Sequence, residues 1–111
     1  MEVSEKVDLA QFEALLNTKP ALIVYFYQEK CEVCTSLFPK VKEMVKGEFP
    51  EMELIVLEAQ QHRELAAQLR MMAVPGILVY FDGKEFFRAN GLVAIGELKT
   101  KISRYYDLMF G

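Results

Sequence analysis

Apolar and polar positions follow two periods along this chain. Over residues 8–17 the side chains of Leu9, Phe12, Leu15 and Leu16 recur on one helical face, with Ala10 and Ala14 between them. This spacing predicts an amphipathic helix. Pro20 ends it, because a proline offers no N–H and biases Lys19 away from helical geometry. Residues 21–27, ALIVYFY, then form an almost continuous run of β-branched and aromatic side chains, which predicts a central strand buried on both faces. After the polar stretch Gln28, Glu29 and Lys30, the residues Val33, Leu37, Val41 and Val45, joined by Cys34, Phe38 and Met44, repeat at helical spacing. They predict a second helix from Cys31 to about Lys46, with a kink at Pro39, where one backbone hydrogen bond is lost.

Gly47 and Pro50 mark the exit of that helix. Residues 52–58 predict a further strand, and residues 61–69, with Leu65, Ala66 and Leu69, a shorter third helix. Val74, Pro75 and Gly76 interrupt the pattern before a strand at 77–81. Asp82-Gly83 follows at once, a pair that tolerates the positive φ angles of a tight hairpin, and 85–89 reads as the return strand. Asn90-Gly91 breaks the strand, and Leu98, Ile102, Tyr105 and Tyr106 place a last helix over about 94–108. The order is helix, strand, helix, strand, helix, strand, strand, helix. It predicts an α/β chain with a single mixed central sheet of four to five strands and helices on both faces, the count depending on whether residues 1–7 add an edge strand.

A length of 111 residues with 52% hydrophobic and 12% aromatic content fits one domain, residues 1–111, with a core that needs no metal or disulfide staple. The net charge of -3, with Lys and Arg dispersed, lacks the footprint of nucleic-acid binding and gives no reason to expect acidic membranes as partners. No apolar run approaches the roughly 20 residues of a spanning helix. The polar first residues do not follow the basic-then-apolar order of a secretory signal, so a cytoplasmic location is expected.

The candidate chemistry lies in Cys31 and Cys34. Cysteines three positions apart close too short a loop to stabilise a fold by much. Placed directly after a buried strand and at the start of a helix, however, the first thiol meets unpaired N–H groups and the positive end of the helix dipole, which favour a thiolate. Cys31 is thus the expected nucleophile. Cys34, one turn on and further under the helix, is the expected resolving thiol. A zinc half-site is the competing use of such a pair, but tetrahedral zinc needs four ligands, and the one histidine, His62, lies far along the chain on a polar helix start, where it reads as a solvated surface residue.

The 21–27 strand, Cys31-Glu32-Val33-Cys34, a helix carrying Pro39, Val74-Pro75 before a strand, Asp82-Gly83 and Gly91 fall in the order found in thioredoxins. From residues 7 to 109 the chain resembles the thioredoxin family. The resemblance implies a thioredoxin fold, and a cis peptide at Pro75 beside the cysteines. It also implies a free Val74 backbone that pairs with an extended substrate segment, with Glu32, Val33 and Gly91 around it. It further implies reduction of protein disulfides by dithiol-disulfide exchange, without a bound cofactor, and recycling by a thioredoxin-reductase-like enzyme.

Three departures bear on that expectation. Thioredoxins usually carry Trp before the first cysteine and Gly-Pro between the two, whereas this chain has Lys30 and Glu32-Val33 and no Trp at all. Lys30 favours the Cys31 thiolate and Glu32 opposes it. Tyr25 stands where the family usually buries an Asp that helps deprotonate the resolving thiol. A phenol with a pKa of about 10 is no base at neutral pH. Glu29 and Glu58 are the nearest substitutes in sequence. Slow resolution by Cys34 is therefore expected, and the alternative function is a weakly redox-active binding module or co-chaperone on the same fold. Met71 and Met72 fit either a soft substrate rim or loop packing. The apolar tail formed by Tyr105, Tyr106, Leu108, Met109 and Phe110 reads as the last helix closing the core.

Overall fold

Strand β1 (Ala21–Tyr27) runs through the centre of the molecule with all seven residues buried. The structure, a computed structural model, describes residues 5–111. Successive β1 side chains point to opposite faces, so Ile23, Tyr25 and Tyr27 enter one core while Leu22, Val24 and Phe26 enter the other. A strand covered on both sides cannot alternate apolar with polar, which explains the unbroken run.

Helix α1 (Leu9–Thr18) precedes β1 and is started by Asp8, whose carboxylate accepts from the Gln11 N–H while the Gln11 side chain accepts from the Asp8 N–H. Helix α2 (Glu32–Glu48) follows and continues through Pro39. β2 (Glu53–Glu58) leads into a 3-10 turn (Ala59–His62) and α3 (Arg63–Gln68). The expected single helix at 61–69 is thus split. β3 (Gly76–Phe81) and β4 (Lys84–Asn90) form the hairpin, with Asp82 and Gly83 at φ 53° and 78° as the turn requires. α4 (Ile95–Phe110) closes the chain.

The sheet order is β2-β1-β3-β4, with β1 parallel to β2 and antiparallel to β3, and β3 antiparallel to β4. That is the expected mixed sheet, with four strands among the described residues. Residues 1–4 lie outside the described residues, so the edge-strand question extends beyond them. Residues 5–7 form no strand, although the Glu5 N–H donates to the Val56 carbonyl on β2 at 3.2 Å.

α2 and α4 cover one face through Leu37, Phe38, Val41, Leu98, Ile102 and Tyr106. Phe12 of α1 and Leu65 of α3 cover the other. At the chain end Tyr106 packs edge-on to Phe49 and its hydroxyl accepts from the Glu51 N–H at 2.9 Å. Phe110 stacks on Tyr106, while Leu108 is exposed. The tail therefore closes the core, as its spacing predicts, apart from Leu108.

Candidate active site

β1 ends at Tyr27, and three residues turn the chain into α2. Lys30 adopts φ 66°, and the Cys31 N–H donates to the Gln28 carbonyl at 3.3 Å, so the turn brings Cys31 to the N-cap of the helix. There the Cys31 Sγ accepts the N–H of Cys34 at 3.2 Å. The sulfur thus takes the place that a Ser or Asp oxygen commonly fills, at the positive end of a 17-residue helix. A thiolate at the same position would receive the same donor.

Cys31 is partly exposed and Cys34 wholly buried. The two are joined in a disulfide, with Cα atoms 5.2 Å apart. Thr35 braces the turn, its N–H and its hydroxyl both donating to the Cys31 carbonyl. Behind the pair stands Tyr25. Its hydroxyl donates to the Cys34 carbonyl at 2.8 Å, its ring packs on Phe38, and burial pushes its pKa up to about 12. The position that faces Cys34 thus holds a neutral donor. Neither expected substitute takes its place. Glu29 is exposed, and Glu58, buried at the end of β2, accepts from the Gln61 N–H at 2.9 Å and so caps the 3-10 turn.

The Val74–Pro75 peptide is cis. Val74 is half-buried and packs against the same core as Cys31 and Cys34, and the Pro75 carbonyl accepts from the Gly91 N–H at 2.8 Å. Gly91 sits at φ 110°, which a side chain would resist. Pro75 and Gly91, distant in sequence, are thereby tied together. Glu32 and Val33 are exposed on the first turn of α2 and line a largely apolar groove of about 520 Å³ that extends to Leu92 and Ile95. Lys30, Cys31 and Glu32 share an adjoining depression.

One sequence expectation is corrected. His62 is 5% exposed, not solvated. Its Nδ1 lies 2.9 Å from the Glu58 carbonyl, and its Nε2 accepts from the Val7 N–H at 3.2 Å, so the ring carries its proton on Nδ1 and joins the segment before α1 to the end of β2. A histidine on a polar helix start looks exposed only until the preceding chain is seen to cross it. The two methionines divide the alternatives: Met71 is buried in the second core and Met72 is 81% exposed. Among the described residues no three His, Cys, Asp or Glu side chains converge as metal ligands.

Arg88 and Asn90, which the sequence pattern does not single out, also bear on the site. The Arg88 guanidinium donates to the carbonyls of Leu69 and Arg70, and the Asn90 Oδ1 accepts from the Met72 N–H. An arginine directly after the apolar pair Phe86-Phe87, three residues from Glu85, was the available signal.

Comparison with known proteins agrees with this geometry. The family model described as Thioredoxin matches residues 3–104. The thioredoxin-like protein YdfQ of Bacillus subtilis is 28% identical over 103 residues, covering 93% of this chain and 91% of that protein. The thioredoxin of Mycoplasma genitalium is 29% identical over 100 residues, covering 90% and 93%. Among solved structures, the thioredoxin of Fasciola hepatica superimposes with a TM-score of 0.79 at 30% identity, over 92% of this chain and 98% of that one.

Proposed function

This chain belongs to the thioredoxin family and is a thiol-disulfide oxidoreductase, and from that premise we propose that Cys31 is its nucleophile and Cys34 its resolving thiol. The observation that carries the assignment is the asymmetry of the pair: a partly exposed Cys31 sulfur accepts a helix N–H, while Cys34 is wholly buried behind it. The Cys31 thiolate attacks one sulfur of a substrate disulfide, and the other substrate sulfur leaves as a thiolate and takes up a proton. Cys34 then loses its proton and attacks the Cys31 sulfur. The second substrate sulfur leaves, and the Cys31–Cys34 disulfide remains. The substrate gains two electrons and two protons, which an external dithiol must restore.

Substrates are proteins carrying accessible disulfides. An extended substrate segment pairs with the Val74 backbone next to Pro75, and Glu32, Val33 and Gly91 border it. The apolar groove beside Glu32 and Val33 supports this reading. A thioredoxin-reductase-like enzyme regenerates the dithiol. The chain acts as one domain in the cytoplasm, where the glutathione and thioredoxin pools hold such pairs reduced. Among the described residues no helix is long and apolar enough to cross a membrane.

Replacing Cys34 by Ser and searching cell extract for mixed disulfides tests the assignment. Many trapped proteins, all through Cys31, are expected. An absence of trapped protein would remove the reductase reading and leave the binding module, which the neutral Tyr25 behind Cys34 favours.

A further inference from the structure

α3 ends in a left-handed residue, Arg70 at φ 55°. The Met71 N–H returns to the Ala66 carbonyl at 2.9 Å and the Arg70 N–H to the Ala67 carbonyl at 3.0 Å, the double closure of a Schellman motif. That closure leaves the carbonyls of Leu69 and Arg70 pointing beyond the helix. Both are taken by one side chain from the far edge of the sheet: Arg88 Nη2 donates to Leu69 at 3.0 Å and Nη1 to Arg70 at 3.1 Å. A guanidinium suits a helix C-terminus, where the dipole is negative. Glu85 holds the guanidinium in place with two further bonds, 2.9 Å from Nε and 2.7 Å from Nη2.

Two residues along the same strand, Asn90 accepts the Met72 N–H at 2.8 Å, and next to it Gly91 donates to Pro75. One stretch of β4 and its exit therefore fastens the segment between α3 and β3 at Leu69, Arg70, Met72 and Pro75. That segment is otherwise irregular, with Met72 almost fully exposed, and it carries the Val74 backbone. Strand pairing to a substrate requires its N–H and C=O groups within about 3 Å of their partners, so a drift of this segment weakens binding without touching the sulfurs.

We infer that Arg88 and Asn90 are positioning residues for polypeptide substrates, holding the 69–75 segment so that the Val74 backbone is presented in register beside Cys31. The inference rests on the strand-pairing reading given above. It separates two substrate classes. A polypeptide disulfide uses both the segment and the thiolate, whereas a small disulfide such as cystamine has no extended chain to pair and uses the thiolate alone.

The test measures second-order rates of the pre-reduced protein with insulin and with cystamine. Arg88→Met keeps most of the apolar stem and removes the guanidinium. Asn90→Ala removes the acceptor, and Asn90→Asp restores one. Arg88→Met and Asn90→Ala are expected to slow insulin reduction about tenfold, the scale of one lost hydrogen bond, while the cystamine rate stays within about twofold. Asn90→Asp should recover the insulin rate. Insulin reduction within about twofold of wild type in both variants overturns the inference, as does a parallel fall for both substrates. If Arg88→Met fails to fold, the Asn90 pair decides. A wild-type protein that shows no preference for insulin over cystamine instead refutes strand pairing itself, and the inference falls with it.

Discussion

Tyr25→Phe isolates a buried polar contact behind Cys34. The hydroxyl donates to the Cys34 carbonyl at 2.8 Å, and the ring is fully buried against Phe38, so phenylalanine keeps the packing and deletes a single neutral hydrogen bond. At neutral pH that deletion should cost about 1 kcal/mol and lower Tm by about 4–8 °C. At alkaline pH the sign reverses. Burial raises the Tyr25 pKa from 10.0 to about 12, so the unfolded chain releases this proton before the folded one. The stability tied to the protonated phenol is fully present below about pH 10 and is lost as pH rises towards 12, at about 1.4 kcal/mol per pH unit. Phenylalanine loses nothing there. The two stability curves should therefore cross between about pH 10 and 11, with the variant the more stable beyond. Urea unfolding of the oxidised proteins, followed by far-UV circular dichroism from neutral to strongly alkaline pH, checks this. The other tyrosines and the lysines titrate alike in both proteins and cancel in the difference. Curves that stay parallel would refute the buried, protonated phenol, and equal stability at pH 7 would refute the bond's contribution.

Three further outcomes follow from the same geometry. His62→Ala should cost about 2–4 kcal/mol, since it removes the hydrogen bonds to the Glu58 carbonyl and from the Val7 N–H and opens a void, and an unchanged urea midpoint would show that the histidine is solvated after all. Glu32→Gln should lower, and Lys30→Met raise, the pH of half-maximal Cys31 alkylation, each only slightly because both flanking charges are exposed and screened, and shifts of the opposite sign would sink the idea. A mixed disulfide on Cys31 should decay roughly a hundredfold more slowly than on a thioredoxin with a carboxylate behind the resolving cysteine, the low end of what one general base contributes, because Tyr25 supplies no base; equal decay rates would count against that account.

The fold was legible where both partners of an interaction lie close in sequence or where burial is uniform. The ALIVYFY strand, the Asp82-Gly83 turn and the helix beginning at Cys31 each carry their cause locally: two-sided burial, positive φ, and a side chain that caps its own helix. The cysteine pair was legible for the same reason, since strand, turn and helix N-terminus lie within a few residues of it. What stayed hidden depends on a partner from another element. His62 reads as polar surface until Val7, 55 residues earlier, is seen to donate to it. Arg88 reads only as part of the return strand until the chain leaving α3 is placed with the Leu69 and Arg70 carbonyls against it. The split of the third helix has a local cause that apolar spacing alone does not carry, because Glu58 and His62 draw the chain into a tighter turn before Arg63.

The same division explains how the site is built. Its reactive half, Cys31 and Cys34, is set by the strand-to-helix junction and stays in place as long as β1 and α2 are packed. The docking half proposed above, residues 69–75 with Gly91, has little regular structure of its own and borrows its geometry from the edge strand β4 through Arg88, Asn90 and the Gly91 N–H. An edge strand tolerates substitution better than a central one, because fewer neighbours constrain it. Substrate choice can therefore change through β4 while the sulfur chemistry is left intact. Tyr25 alters the other half. A neutral phenol in place of an acid leaves rate control at the pair to the thiols and to the exposed Lys30 and Glu32. On this proposal substrate choice rests on β4 and the 69–75 segment, and the rate of release rests on Tyr25 behind the pair.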